Sequence, residues 1–87
     1  AMKLIIAIVN DNDSETLTQA FTAANFRVTR VASTGGFLRR GVTTMLLGIE
    51  DSQTDAVIQI VRDALPSKGE EKRATLFVLP VHHYEQV

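Results

Sequence analysis

Three predicted strands of this 87-residue chain are apolar on both of their alternating faces, and this pattern most constrains its fold. The segments are residues 3–9, 43–49 and 74–81. Strands of this kind are usually covered on both sides, because otherwise one row of apolar side chains would face water. The chain is 45% hydrophobic and contains no Cys, so disulfides cannot replace an extensive core. We therefore expect copies of the chain to associate and bury part of this surface.

Two helices are predicted from apolar residues that recur at helical spacing. The first follows a turn and cap cluster at 10–14, and Asp51 and Ser52 are expected to cap the second, which Pro66 stops. Both stripes mark one buried face of a helix. They consist of Leu17, Ala20, Phe21 and Ala24 in the first helix and Val57, Ile60, Val61, Ala64 and Leu65 in the second.

A further strand is predicted from Asn25 onward, where the period changes to two. Its mixed polarity indicates an edge strand, joined to 43–49 as a hairpin. The resulting order, β-α-β-β-α-β, predicts one α+β domain over 1–87 with the ferredoxin-like fold. In this fold a four-stranded antiparallel sheet carries two helices on one face. Because two helices cover a single face, we expect self-assembly through the other.

Charge and chemistry exclude several classes of function. Nine Lys and Arg against ten Asp and Glu give no basic field for a nucleic-acid polymer or a membrane surface. The longest apolar run, 4–9, is too short for membrane insertion, and without a signal segment we expect a cytoplasmic protein. The chain has no Cys nucleophile, no Ser/His/Asp arrangement and no metal-ligand spacing. These observations argue against an enzyme and against a metal site.

The loop at 34–41 and the strand before it form the most informative stretch. Its paired glycines would let backbone N–H groups converge on an anion, although a plain hairpin loop explains them as well. Asn25, Arg27 and Thr29 project at spacing two from one face of the predicted edge strand. They can hydrogen-bond a ligand, and a solvated edge face is the alternative.

Three other positions have two readings each. Phe37 either stacks on a ligand base or partner, or tucks under its own loop. Phe77 is expected in the core, although an aromatic residue on a strand can also line a pocket at a subunit border. Gly48 interrupts a strand of bulky residues, which indicates either the close approach of a ligand or backbone, or a bulge.

Two polar groups are assigned ordinary roles. Asp11 and Asp13 are expected to favour the positive end of the first helix rather than hold a cation. His82 and His83 are sequence neighbours, so on an extended tail they point to opposite faces and do not chelate one ion together.

These segments together resemble the PII-like cyclic di-AMP receptor family of Gram-positive bacteria. The resemblance extends over nearly the whole chain except 66–73. Its most characteristic motifs are Ser-Thr-Gly-Gly-Phe-Leu at 33–38 and Phe-Val-Leu-Pro-Val at 77–81. Residues 2–9, 25–29 and 41–44 also match the family pattern.

The resemblance implies a homotrimer without enzymatic activity, with cyclic di-AMP in the clefts between neighbouring subunits. It also implies that binding acts on the loops at 35–41 and 66–73 to signal to an unidentified downstream protein. It involves no other cofactor. By the family pattern the ligand-binding residues are Asn25, Arg27, Thr29, Gly36, Phe37, Leu38, Gly48, Phe77 and Gln86.

The chain departs from the family pattern at two places. Val42 stands where the family often has Asn, which removes one potential polar contact with the ligand. The variable loop at 66–73 is shorter than usual, so either it is truly short or residues are missing between Pro66 and Glu70. The alternative functions are a PII-like regulator that senses ATP or ADP, a structural trimer, and a small ferredoxin-like isomerase.

Overall fold

The chain forms one four-stranded antiparallel sheet and two helices. A computed structural model describes residues 1–31, 41–67 and 69–87. The strands have the order β2-β3-β1-β4 across the sheet, consistent with the predicted ferredoxin-like fold. Along the chain the elements are β1 (Met2–Asn10), α1 (Asp11–Ala23), β2 (Thr29–Val31), β3 (Val42–Glu50), a 3-10 turn (Asp51–Gln53), α2 (Thr54–Ala64) and β4 (Ala74–Val81).

The core lies between the two helices and one face of the sheet. Alternate residues of the central strands β1 and β3 are buried there, and each helix contributes most of its predicted apolar stripe, whereas Ala24 is exposed just after the end of α1. Leu76 of β4 packs against the edge of this cluster. The buried side chains are Ile5, Ala7, Val9, Leu17, Phe21, Met45, Leu47, Ile49, Val57, Val61 and Leu65.

The opposite face, called here the open face, remains apolar and accessible. Leu4, Ile6 and Leu46 are half-buried at its centre, whereas Phe77 is 50% exposed and Leu79 is 43% exposed. No described element packs over these side chains. The prediction that both helices cover a single face is therefore confirmed, and the excess of apolar sequence lies on the other face.

The second strand begins later than predicted, at Thr29 rather than Asn25. Asn25 instead adopts a left-handed backbone conformation, with φ 67°, and ends α1. Its N–H donates to the carbonyl of Thr22 at 3.0 Å, while Phe26 N–H donates to Phe21 at 2.9 Å. This pair of bonds is the Schellman motif, in which Asn is the usual substitute for Gly. The period of two that begins at Asn25 therefore includes a helix end as well as a strand.

The first turns of the two helices and the position of Pro80 in the sheet add detail to the sequence predictions. The cluster at 10–14 mostly forms the first turn of α1, and Asp11 accepts a hydrogen bond from Thr43 of β3. Before α2, the Glu50 N–H donates to the Gln53 side chain at 2.9 Å, one residue ahead of the predicted caps. Pro80 lies inside β4, an edge strand, where its missing N–H removes no sheet hydrogen bond.

Candidate ligand-binding site

One group of candidate residues lies at the β2 side of the open face. Thr29 pairs with Leu46 of β3, and Gly48 follows two residues later on the same face. Arg27 lies between Phe26 and Val28, whose side chains both pack against the core. The Arg27 side chain therefore faces away from the core. In this group, polar side chains border a strand position that has no side chain.

Gly48 is not explained by the subunit's own structure. The β1–β3 register runs without interruption from Met2 opposite Glu50 to Asn10 opposite Val42, which excludes a bulge at Gly48. Among the described residues, a Cβ at Gly48 would meet only the terminal methyl of Met2, at an ordinary contact distance of 3.7 Å. Since the described residues leave room for a side chain here, the glycine is consistent with the approach of something outside the subunit.

The two arginines of the β2 region have different surroundings. Arg30 lies on the helix face opposite Met45, and its Nη1 is 3.3 Å from Oε2 of Glu15 on α1. Arg27 is exposed and, among the described residues, takes part in no ion pair. Its guanidinium is therefore available to an anionic ligand.

Asn25 combines a backbone role with an exposed side chain. The left-handed conformation that ends α1 selects Asn or Gly at this position whatever the ligand. The side chain is solvent-exposed just before Arg27. A structural reason for Asn25 therefore exists alongside the predicted ligand contact.

Phe77 lies at the opposite edge of the sheet from Thr29. Thr29 is opposite Leu46, Leu46 is opposite Ile6, and Ile6 is opposite Phe77, so the four residues form one row across the open face. Three strand spacings separate its ends by about 14 Å. Phe77 is half-exposed, so the expectation that it belongs to the core is wrong. Within one subunit the two sides of the candidate site do not meet.

The remaining predicted residues lie in the tail or outside the described part. Gln86 is exposed, five residues beyond the end of β4. Gly36, Phe37 and Leu38 lie outside the described residues, as does all of the loop at 35–41 except Gly41.

Sequence reasoning missed Leu79, which shares the open face with Phe77. The two residues are separated by one position on β4, and both side chains are substantially exposed. The strand period alone places them side by side, so the signal was present in the sequence. Leu79 therefore belongs to the candidate surface at the β4 edge.

The other polar groups lie apart from this face and have ordinary partners. Asp13 accepts a 2.8 Å ion-paired hydrogen bond from Arg73, which supports its assignment to the α1 terminus. His83 is 3.1 Å from Glu85 within the exposed tail. Within 1–31, 41–67 and 69–87, no cluster of three acidic or histidine side chains could hold a metal ion. In those ranges, neither helix is long and apolar enough to span a membrane.

Comparison with known proteins gives a family match and many similar solved structures, of which two follow. Residues 2–73 match the model of the family described as Cyclic-di-AMP receptor. The crystal structure of a functionally unknown protein from Pediococcus pentosaceus ATCC 25745 is 37% identical, with a TM-score of 0.80. That match covers 100% of this chain and 98% of the other.

The second similar structure supports the fold alone. It is a DUF3240 family protein from Shewanella baltica OS155, with a TM-score of 0.72 over 99% of this chain and 96% of that one. At 8% identity it carries no information on the ligand.

Proposed function

The chain belongs to the cyclic di-AMP receptor family, and from this premise we propose that it binds the messenger in clefts between neighbouring subunits of a homotrimer. The family consists of ligand-binding signalling proteins rather than enzymes, in agreement with the sequence analysis. The proposal concerns the assembly, the contact residues and the output of this receptor.

The observation that carries the proposal is the row that joins Thr29 to Phe77. The β2 group and the β4 group lie at opposite edges of one sheet, about 14 Å apart. One cleft can include both groups if the β2 edge of one subunit approaches the β4 edge of the next. A contact between two different edges is heterologous, and it closes into a ring when the rotation between subunits permits. This geometry favours a cyclic ring over a two-fold dimer, and the number of three subunits comes from the family resemblance.

The open face supports the same assembly. Its half-buried and exposed apolar side chains include Ile6, Phe77 and Leu79. An apolar face of this kind typically marks a protein interface. Burial of the three open faces around a common axis would remove them from water and bring unlike sheet edges together.

The chemistry of the ligand matches the two edges. Cyclic di-AMP presents two phosphates and two adenines, and a guanidinium such as that of Arg27 pairs with phosphate oxygens through two parallel hydrogen bonds. Thr29 and Asn25 supply further polar groups. Phe77 supplies an aromatic face, and base–aromatic stacking contributes about 1–3 kcal/mol per base. Phe77→Ala should therefore weaken binding about 5- to 150-fold.

The proposed site also includes residues whose geometry is outside the described part. Gly36, Phe37 and Leu38 would contribute backbone and side-chain contacts from the hairpin loop, and Gln86 would contribute from the tail. We propose that binding acts through the loops at 35–41 and 66–73 on a downstream protein partner. The domain extends over 1–87, and the proposed location is the cytoplasm.

Calorimetric titration tests the ligand assignment. We expect cyclic di-AMP to bind with one ligand per subunit, and ATP and cyclic di-GMP to bind at least tenfold more weakly. Light scattering on the same sample should give the mass of three chains. Absence of heat with micromolar cyclic di-AMP would refute the receptor assignment, and ATP as the tightest ligand would favour the PII-like regulator.

Mixed trimers test whether two subunits build one cleft. Arg27→Ala and Phe77→Ala subunits, each defective alone, are refolded together in equal amounts. A site that takes Arg27 from one subunit and Phe77 from the next should be intact at about one quarter of the interfaces, by random assortment in a closed ring. Recovery of that fraction of tight sites is expected. A mixture that stays as inactive as the separate variants would show that each site lies within one subunit.

A further inference from the structure

A concave surface lies on the helix side of the sheet, away from the open face. It is a groove of about 560 Å³ between the end of α2 and the start of β4. Ile58, Val61 and Leu65 line its α2 side, and Leu76 lines its β4 side. Among the half-buried apolar side chains of α2, Ile60 and Ala64 pack against the core, whereas Ile58 faces this groove. The aliphatic floor of the groove therefore consists of the half-buried side chains of Ile58 and Leu76 above the buried Val61 and Leu65.

Arg73 holds one end of the groove in place. Its Nη2 donates to Oδ1 of Asp13 at 2.8 Å, and its Nη1 donates to the carbonyl of Pro66 at 3.3 Å. These bonds link the start of β4 to the first turn of α1 and to the segment after α2. With side chains 32% and 18% exposed, the Arg73–Asp13 pair is the most protected ion pair among the described residues. The groove therefore has fixed walls.

The rim of the groove is positively charged in a chain of net charge −1. Asp13 balances the charge of Arg73, whereas Arg62 and Lys72 are exposed at the rim and have no ion-pair partner among the described residues. No described acidic residue lines the groove. Arg62 also lies in the last turn of α2, where a cation stabilises the helix end, but that effect does not account for Lys72.

We propose that this groove docks an acidic amphipathic segment of a partner protein, with leucine-type side chains against Ile58 and Leu76 and carboxylates on Arg62 and Lys72. Charge complementarity and the aliphatic lining both match this occupant. A second copy of the chain is expected on the open face, which points the opposite way. Among the described residues, no aromatic side chain lines the groove for nucleic-acid bases to stack on. Pro66, Ser67 and Lys72 of the loop at 66–73 line this groove, so the proposal rests on the proposed output of the receptor, but its test with a peptide requires no cyclic di-AMP.

The test uses a fluorescein-labelled synthetic peptide of about ten residues that combines leucines with aspartates and glutamates, the pattern of an amphipathic groove ligand. Anisotropy should show saturable binding to the full chain below about 1 mM. Backbone amide signals of Ile58, Arg62, Leu65 and Leu76 should shift in NMR spectra. Peptides with lysine in place of the acids, or serine in place of the leucines, should not bind.

Charge-reversal variants then locate the contact. Arg62→Glu and Lys72→Glu should each weaken the acidic peptide about tenfold or more, because attraction becomes repulsion. Arg30→Glu, on the opposite side of the helix layer, should leave peptide binding unchanged. Arg62→Glu and Arg30→Glu, which lie outside the loop at 66–73, should bind cyclic di-AMP like the wild type, so failure of this proposal is distinguishable from failure of the receptor assignment.

Three results would overturn the proposal. The first is the absence of amide shifts at the groove with the acidic peptide at about 1 mM. The second is equal weakening by all three reversals, since that would mean a general charge effect. The third is equal binding of the serine peptide, which would leave the aliphatic lining without a role. The peptide comparisons use the unaltered protein and therefore do not depend on the folding of any variant.

Discussion

Replacement of Gly48 by alanine tests separately whether the stability of the fold and the affinity of the proposed cleft depend on a glycine at this position. The added methyl would project from β3 onto the open face, where Met2, at 3.7 Å, is the only contact within 4 Å in the described part of the chain. The backbone of Gly48 does not have the positive φ found at Gly41 and Gly69. No described contact and no backbone strain within the subunit therefore opposes the substitution.

The expected effect on subunit stability is small and favourable. Glycine inside a strand is destabilising by roughly 0.5–1 kcal/mol relative to alanine, because its unfolded backbone has more freedom to lose. Gly48→Ala should therefore raise the free energy of unfolding by up to about 1 kcal/mol. For a domain of this size that corresponds to a rise in Tm of up to about 4–8 °C.

The expected effect on ligand binding is opposite in sign. If cyclic di-AMP or the neighbouring backbone packs against Gly48, an extra methyl in that contact costs about 1–3 kcal/mol. The corresponding loss of affinity is about 5- to 150-fold. A more stable variant that binds more weakly is a combination that general damage to the fold cannot produce.

Urea denaturation and calorimetry with cyclic di-AMP, at matched protein concentrations, measure the two effects. Gly41→Ala is the matched control for stability, because φ at Gly41 is 84° and an L-residue in this region costs about 1–2 kcal/mol. If Gly48→Ala destabilises as much as Gly41→Ala, the fold itself requires the glycine. An affinity within twofold of the wild type would show that nothing approaches Gly48. Either result refutes the reasoning.

Three further substitutions test individual contacts. Arg27→Ala should weaken cyclic di-AMP binding about 10- to 150-fold in calorimetry through loss of charged hydrogen bonds. Arg30→Ala breaks only the exposed pair with Glu15 and should not change binding. Equal effects of the two substitutions would contradict the assignment of Arg27 to the ligand site. Asn25→Gly keeps the left-handed turn and should reduce affinity for cyclic di-AMP without loss of Tm. Asn25→Ala should reduce affinity and also lower the free energy of unfolding by about 1–2 kcal/mol. Unchanged binding by Asn25→Gly would show that the Asn25 side chain has a purely structural role. Val42→Asn places an amide on the open face at the start of β3 and should raise affinity about 2- to 12-fold in the same titration; equal or weaker binding would exclude a polar contact there.

The sequence predicts the architecture because its apolar periods are strong in both helices and in three strands. Residues such as Ile5, Met45 and Val61 alternate or recur with the period of their element, and all three are buried as expected. The start of β2 could not be predicted in the same way. Asn25 precedes Arg27 by two residues, as a residue on the same face of a strand would. Its left-handed φ depends instead on the end of α1, where the Phe26 N–H donates to the carbonyl of Phe21.

Prediction of the candidate site is limited for a different physical reason. Polarity and spacing identify Arg27 and Thr29, but the opposite location of Phe77 depends on the strand order, which local sequence does not encode. The core assignment of Phe77 failed because it relied on the usual burial of an aromatic residue within a strand. Among the described residues, no helix covers the open face at β4. An aromatic residue of this strand can therefore face either the core or the open face, and the sequence pattern is the same in both cases.

The positions that the subunit's own packing does not explain coincide with the proposed cleft. Gly48 has no side chain although the described residues leave room for one, Phe77 exposes an aromatic ring on a sheet edge, and Arg27 presents a charge without a described ion-pair partner. Departures of this kind from local rules are expected where a sequence serves binding rather than folding. All three belong to the side of the protein away from the core, and they divide between β2–β3 and the far edge at β4. A ligand bound within a single subunit would explain the unusual residues at only one of these two edges. Contact between unlike edges of neighbouring subunits accounts for the residues at both.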